Sequence, residues 1–183
     1  RWQTIRAGLT GVLEPGIDHT FCTLGLALTT ASNTSLIGAT EPIMVIFLAL
    51  LLLRERISRL LIGLTVIAVI GVILVIGFAT GEISKGNILG DFLVAIGTFF
   101  AAVHVIISAR TLVDLDPLPL SALQQSAALL WALFVWVIAV LGQGQGDNLA
   151  HISPIVWAWA AATGIVQYAL AFWLFLIALR GLK

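Results

Sequence analysis

Three carboxylates and two histidines interrupt stretches of chain that are otherwise apolar. Glu14, Asp18 and His19 fall in one stretch, Glu41 in a second and His104 in a third. Glu14 and Asp18 are four residues apart, so on a helix they share a face, which Cys22 and Gly25 continue. Gln167 and Tyr168 make another polar step in the middle of the last stretch. Groups of these types take up and release protons or hold a small polar solute. The alternative is a membrane-embedded enzyme using Glu14, Asp18 and His19 as metal ligands or acid–base groups. An H-E-x-x-H or G-x-S-x-G motif would favour it, and neither occurs. No enzyme activity and no cofactor are therefore expected. Cys22 is the single cysteine, which rules out an internal disulfide, and no Cys/His cluster has zinc spacing, so no metal site is expected.

One local pattern occurs twice, as Gly11-Val-Leu-Glu14-Pro15 and Gly38-Ala-Thr-Glu41-Pro42. Each proline lacks an N–H and would deprive the carbonyl four residues earlier, that of Gly11 or Gly38, of its helical donor. In lipid such a carbonyl needs another partner or a water-filled cavity. Two kinked helices, each with a glutamate beside the kink at Pro15 or Pro42, are a reasonable start for a polar cavity. The plainer alternative is that the prolines only shape packing.

The elements that must position these groups follow from composition. Of 183 residues 60% are hydrophobic and 10% charged, with mean hydropathy +1.11; a soluble domain carries about 25% charged residues. A soluble globular protein is excluded. The net charge is zero and no basic tract occurs, so no nucleic-acid partner is expected. Six apolar spans can be read, at roughly 5–30, 35–53, 60–78, 88–112, 121–141 and 155–179. Each is near the ~20 residues that cross a hydrocarbon core. The reading is an all-α polytopic membrane helix bundle with the lipid bilayer as its solvent. Asp18, His19, Glu41 and Gln167 then lie near mid-depth, and Asp91 near the outer end of the fourth span. Span three has no charge or amide and should face lipid or pack through its glycines.

Eight of the nine Lys and Arg residues fall on one side of this arrangement; Lys85 alone falls on the other. The positive-inside rule puts both ends of this chain in the cytoplasm of a multi-pass cell-membrane protein. The chain opens at Arg1 without a Met and stops shortly after an apolar run, as though cut from something longer. Alone it is expected to insert but not to transport unless it assembles with other chains.

The sequence resembles the drug/metabolite transporter superfamily, specifically its EamA-type permeases. The resemblance rests on Leu26–Ser32 as the end of a third helix, and on 35–59 as a fourth helix with central Pro42 and a Glu55-Arg56-Ile57-Ser58 exit. It extends to 61–77 as a glycine-containing fifth helix, Gly86–Asp91 as the start of a sixth, Asp116-Pro117-Leu118 as the entry to a seventh, and 155–180 as an eighth. It implies part of a ten-helix inverted-repeat transporter fold. Residues 1–80 would be the C-terminal part of the first repeat and 81–183 the N-terminal part of the second. Phe21 and Leu26-Ala27-Leu28 match Phe172 and Ile177-Ala178-Leu179 at a constant offset, a short apolar echo between the halves. The resemblance implies a secondary transporter of small organic metabolites or drugs, working by alternating access. Proton coupling and homodimer formation stay open, as does a third reading, a non-transporting scaffold or truncated remnant.

A carboxylate at the bilayer centre costs roughly 2.5–3.5 kcal/mol on insertion scales. Glu41 should therefore be protonated, paired or facing water, and it leads the candidates for substrate binding or coupling. The plain alternative is a neutral acid bonded to a nearby carbonyl. As adjacent residues, Asp18 and His19 diverge by ~100° around a helix; Asp18 is favoured for the cavity and His19 for packing or an interhelical hydrogen bond. Glu14 shares the face of Asp18. His104 reads first as a histidine satisfied between helices and second as a substrate contact. Gln167 and Tyr168 are candidate cavity liners, and Gln124 and Gln125 bridge helices. Trp2, Trp157 and Trp159 suit interfacial anchoring, while Trp131, Trp136 and Trp173 suit packing or lipid contact.

The eight-to-one split of basic residues is directly checkable. In a Cys22→Ala background, Ser84→Cys and Asn148→Cys should react with an impermeant thiol reagent outside intact cells, and Ser58→Cys should not. The reverse pattern overturns the orientation.

Overall fold

The computed structural model describes residues 2–53, 58–80, 87–111, 116–143 and 153–181. Arg1, Arg54, Arg56, Lys85 and Lys183, on which the orientation partly rests, lie outside the described residues, as does most of the linker joining the last two spans. Every regular element among the described residues is helical: α1 (Trp2–Gly8), α2 (Asp18–Leu26), α3 (Ala31–Gly38), α4 (Glu41–Leu48), α5 (Arg59–Thr80), α6 (Ile88–Thr111), α7 (Pro117–Gln143), α8 (Pro154–Thr163) and α9 (Phe172–Gly181). Short 3₁₀ and π turns join some of them.

Local chemistry accounts for the helix starts. Thr30 caps α3, its side-chain oxygen accepting from the Asn33 amide at 3.1 Å. The Asn87 carboxamide oxygen accepts from the Leu89 amide at 2.9 Å at the head of α6. Pro117 and Pro154 open α7 and α8, where a missing N–H costs nothing.

Both Glu-Pro steps break their helices. After α1 the chain tightens into a 3₁₀ turn over Leu9–Val12, then widens into a π turn over Leu13–Ile17. Within it Glu14 is extended, with φ −141° and ψ 126°. In the second motif α3 stops at Gly38 and α4 restarts at Glu41, with Pro42 in its first turn. Short-range bonds surround this step. The Thr40 amide and hydroxyl both donate to the Ile37 carbonyl, at 2.9 and 2.6 Å. The Thr40 carbonyl in turn accepts from Ile43 and Met44.

Among the described residues four helical stretches are long and apolar enough to cross a membrane: Ala31–Leu52, Ile88–Arg110, Pro117–Gly142 and Pro154–Leu179. Of the two remaining expected spans, one is broken and one is a single helix. The first is interrupted at Glu14, and α2 ends at Leu26 rather than at Thr30. The third is α5, helical over 22 residues. Gly63 and Gly71 on it face open space instead of a neighbouring helix. The chain is an all-α, multi-pass membrane protein.

The chain divides into two compact units, one of Leu13–Ile107 and one of Arg1–Val12 with Ser108–Lys183. A packing unit is set by contacts and a repeat by sequence symmetry, so this division and the 80/81 boundary are separate matters. In the Leu13–Ile107 unit, α2 and α6 run antiparallel, their contacts passing from Gly25 against Gly90 to Glu14 against His104. A Cβ on Gly90 would lie 2.8 Å from the Gly25 carbonyl oxygen and 2.8 Å from the Thr29 nitrogen. Small residues let the two backbones meet, the usual device where no hydrophobic drive separates helix from lipid. The helix α4 packs on α6 through Leu48, Ala49, Ala102 and Ile106. In the other unit Ala7, Leu120 and Leu176 form the core, joining α1, α7 and α9.

The glycine contacts set a contrast. Gly90→Ala should destabilise the protein by about 1–3 kcal/mol, the usual cost of overpacking against a backbone that cannot move aside. Gly38→Ala, with nothing within 4 Å of its added Cβ, should be tolerated. Thermal unfolding in the same detergent compares them, and equal melting temperatures would contradict the close approach.

Candidate functional site

The shared face of α2 and α6 carries a ladder of polar contacts. At one end Asp91, in the first turn of α6, accepts from the Thr29 hydroxyl and from the Asn33 amide, the latter at 3.2 and 3.3 Å to its two oxygens. Along α2, Asp18 is 7% exposed and accepts from the Cys22 thiol at 3.1 Å. Its other oxygen lies 2.8 Å from Nδ1 of His19. At the break, Glu14 Oε2 lies 3.0 Å from Nδ1 of His104, which is fully buried. Asp91 and His104 are thirteen residues apart on one helix, about 20 Å along its axis.

Each rung has a local cause. Glu14 leaves the helical path because Pro15 follows it, and its extended backbone carries the side chain to His104. Asp18 opens α2, one turn beyond Glu14 on the same face. Gly97 of α6 gives it room: a Cβ there would meet the Cys22 sulfur at 2.7 Å and the Asp18 carbonyl oxygen at 2.8 Å. Phe21 and Phe100 stack beside it, with ring centroids 6.2 Å apart. The divergence between Asp18 and His19 does not keep them apart, because the imidazole folds back onto the neighbouring carboxylate. Asp18, His19, Cys22, Thr23, Leu26 and Thr34 line a small groove of about 250 Å³.

Glu41 lies elsewhere in the same unit, half-buried at the restart between α3 and α4. It lines a groove of about 470 Å³ with Gly38, Ala39 and Pro42 on one wall and Leu64, Thr65, Ala68 and Val69 of α5 on the other. No hydrogen-bond or ion-pair partner for it occurs among the described residues. The carboxylates of Glu14 and Asp18 nonetheless lie within electrostatic reach and act on it as like charges. Among the described residues no three His, Cys, Asp or Glu side chains are grouped to hold a metal ion.

Gln167 and Tyr168 belong to the other unit, inside a π-helical segment, Gly164–Ala171. Gln167 is exposed and shares a shallow groove with Trp159, Ala162, Thr163 and Val166; Tyr168 is half-buried. A wide turn of this kind often marks a functional position in a helix. In that unit Gln124, 1% exposed, donates to the hydroxyls of Thr10 at 2.8 Å and Ser108 at 3.4 Å. It thereby bridges three segments. Sequence reasoning gave too little weight to the Asp91–Thr29–Asn33 cluster. Its only signal was the four-residue spacing of Thr29 and Asn33, and the partner is 58 residues away from Asn33.

These features define a multi-pass helical membrane protein with carboxylates and histidines inside it. Residues 1–77 match the EamA-like transporter family. The chain is 28% identical over 168 residues to an uncharacterized transporter of Synechocystis sp., covering 89% of this chain and 46% of that protein. It is 29% identical over 123 residues to an uncharacterized transporter of Archaeoglobus fulgidus, covering 67% of this chain and 43% of the relative. The chain thus spans less than half the length of either relative. No solved structure matches it.

The contact between His104 and Glu14 should carry measurable energy. In a double-mutant cycle of His104→Leu and Glu14→Gln, the effects on unfolding should depart from additivity by about 1 kcal/mol, in the range found for interhelical hydrogen bonds in membranes. Strict additivity would show that the pair is geometry without energy.

Proposed function

We propose that this chain is part of a secondary transporter of the cell membrane that carries a small organic solute through a mid-membrane cavity by alternating access. The observation that carries the reading is that both Gly-x-x-Glu-Pro motifs break their helices and leave Glu14 and Glu41 at the breaks. Broken helices with ionisable groups at their interruptions are how inverted-repeat transporters build their sites. The family match over residues 1–77 and the transporter descriptions of the two relatives support it. On this reading residues 1–80 close a first repeat, 81–183 open a second, and the basic loops face the cytoplasm.

Within this proposal Glu14, Asp18 and Glu41 form the charged part of the cavity, with His104 as the partner of Glu14. Gln167 and Tyr168 are candidate substrate contacts of the second repeat. Glu41 is assigned the coupling role, because a carboxyl group without a protein partner is free to gain a proton from one side and lose it to the other. Glu14 and Asp18 already have imidazole partners.

Glu41→Gln keeps the shape and removes the titration. In the full-length protein it should insert and fold near-normally but lose uphill, proton-driven transport while retaining exchange. Reconstituted vesicles with and without an imposed pH gradient measure both activities. Uphill transport at the parental rate across a range of pH would reduce Glu41 to a packing residue.

A further inference from the structure

The three carboxylates Glu14, Asp18 and Glu41 do not have the same surroundings. Glu14 meets His104 at 3.0 Å, and Asp18 meets His19 at 2.8 Å and Cys22 at 3.1 Å. Glu41 has no such partner among the described residues, yet it stands in a groove whose other walls are almost wholly apolar. Among the described residues no Lys, Arg or His lines that groove. Thr65, its other polar residue, spends its hydroxyl on the Leu61 carbonyl at 2.9 Å. An ionised carboxylate left in this position bears most of its desolvation cost uncompensated.

We infer that the Glu41 groove is a binding site for an organic cation: a protonated or quaternary amine that carries an apolar body. The ammonium lies against the carboxylate, and the body lies against Pro42, Leu64, Ala68 and Val69. The volume, about 470 Å³, admits a small organic molecule, since such sites run from about 300 to 1,000 Å³. Charge complementarity selects the sign. An anion would face Glu41 and the like charges of Glu14 and Asp18 together. An uncharged molecule of the same shape would fill the apolar wall and leave the carboxylate unanswered. This assignment rests on the transport reading above for its purpose but not for its chemistry, which is a matter of binding alone.

The test uses the full-length protein in lipid nanodiscs, with empty nanodiscs correcting for partition into lipid. Three probes of similar shape are titrated: benzyltrimethylammonium, its uncharged isostere neopentylbenzene, and the anion phenylacetate. The ammonium should bind at least about tenfold more tightly than either other probe, a modest return for answering one partly desolvated charge. Glu41→Gln should erase that preference. Ala68→Leu, which narrows the groove from α5 and leaves the carboxylate alone, should weaken the ammonium as well; it decides the matter if Glu41→Gln does not fold. Equal affinity for the uncharged isostere, or ammonium affinity unchanged in the folded variants, overturns the assignment. Charge-selective binding without flux in reconstituted vesicles leaves the site standing and overturns the transport reading. Flux that ignores the charge of the probe does the reverse.

Discussion

A carboxylate or a free backbone carbonyl in hydrocarbon has no water to turn to, and this constraint governs what the two Glu-Pro steps do to the chain. Each proline removes an amide from the helical ladder where an ionisable side chain must also be housed. At the second step the chain bonds back on itself, Thr40 donating twice to the Ile37 carbonyl. At the first step Glu14 swings to an extended conformation, and its side chain is answered from another helix by His104. The burial of His104 follows from this requirement: a fully enclosed imidazole without a polar partner would itself be costly.

The close seam between α2 and α6 makes such answers dependable. Gly25, Gly90 and Gly97 bring the two backbones near enough for short side chains to reach across. Thr29, Asn33 and Cys22 are all short, and each makes its contact only because the helices nearly touch. A bulkier residue at Gly90 would widen the seam at the Asp91 end, where Thr29 and Asn33 hold the α6 carboxylate.

Much of this was legible in the sequence because it depends on local chemistry. The all-α membrane class followed from hydropathy, and the helix breaks from proline beside glutamate. Glu41 stood out because charge is expensive in lipid wherever it falls. What the sequence left unstated depends on contacts far apart along the chain. His104 could be read as satisfied between helices, but Glu14, 90 residues away, could not be named as its partner. Asp91 looked like a residue near water, and nothing local linked it to Asn33. The pairing of Asp18 with His19 was undervalued for a different reason: a helical wheel tracks Cβ directions, while a long imidazole reaches back around the helix.

The two copies of the motif also show why a repeated pattern does not repeat its environment. Gly11 is sealed against the backbone of Gln124, where an added Cβ would lie 1.9 Å from the carbonyl oxygen, whereas Gly38 has open space. Glu14 has an imidazole, and Glu41 has a groove. The difference lies in the neighbour each motif meets. The helix that passes Glu14 is α6, which carries His104; the helix that passes Glu41 is α5, which turns Leu64, Thr65, Ala68 and Val69 to the groove.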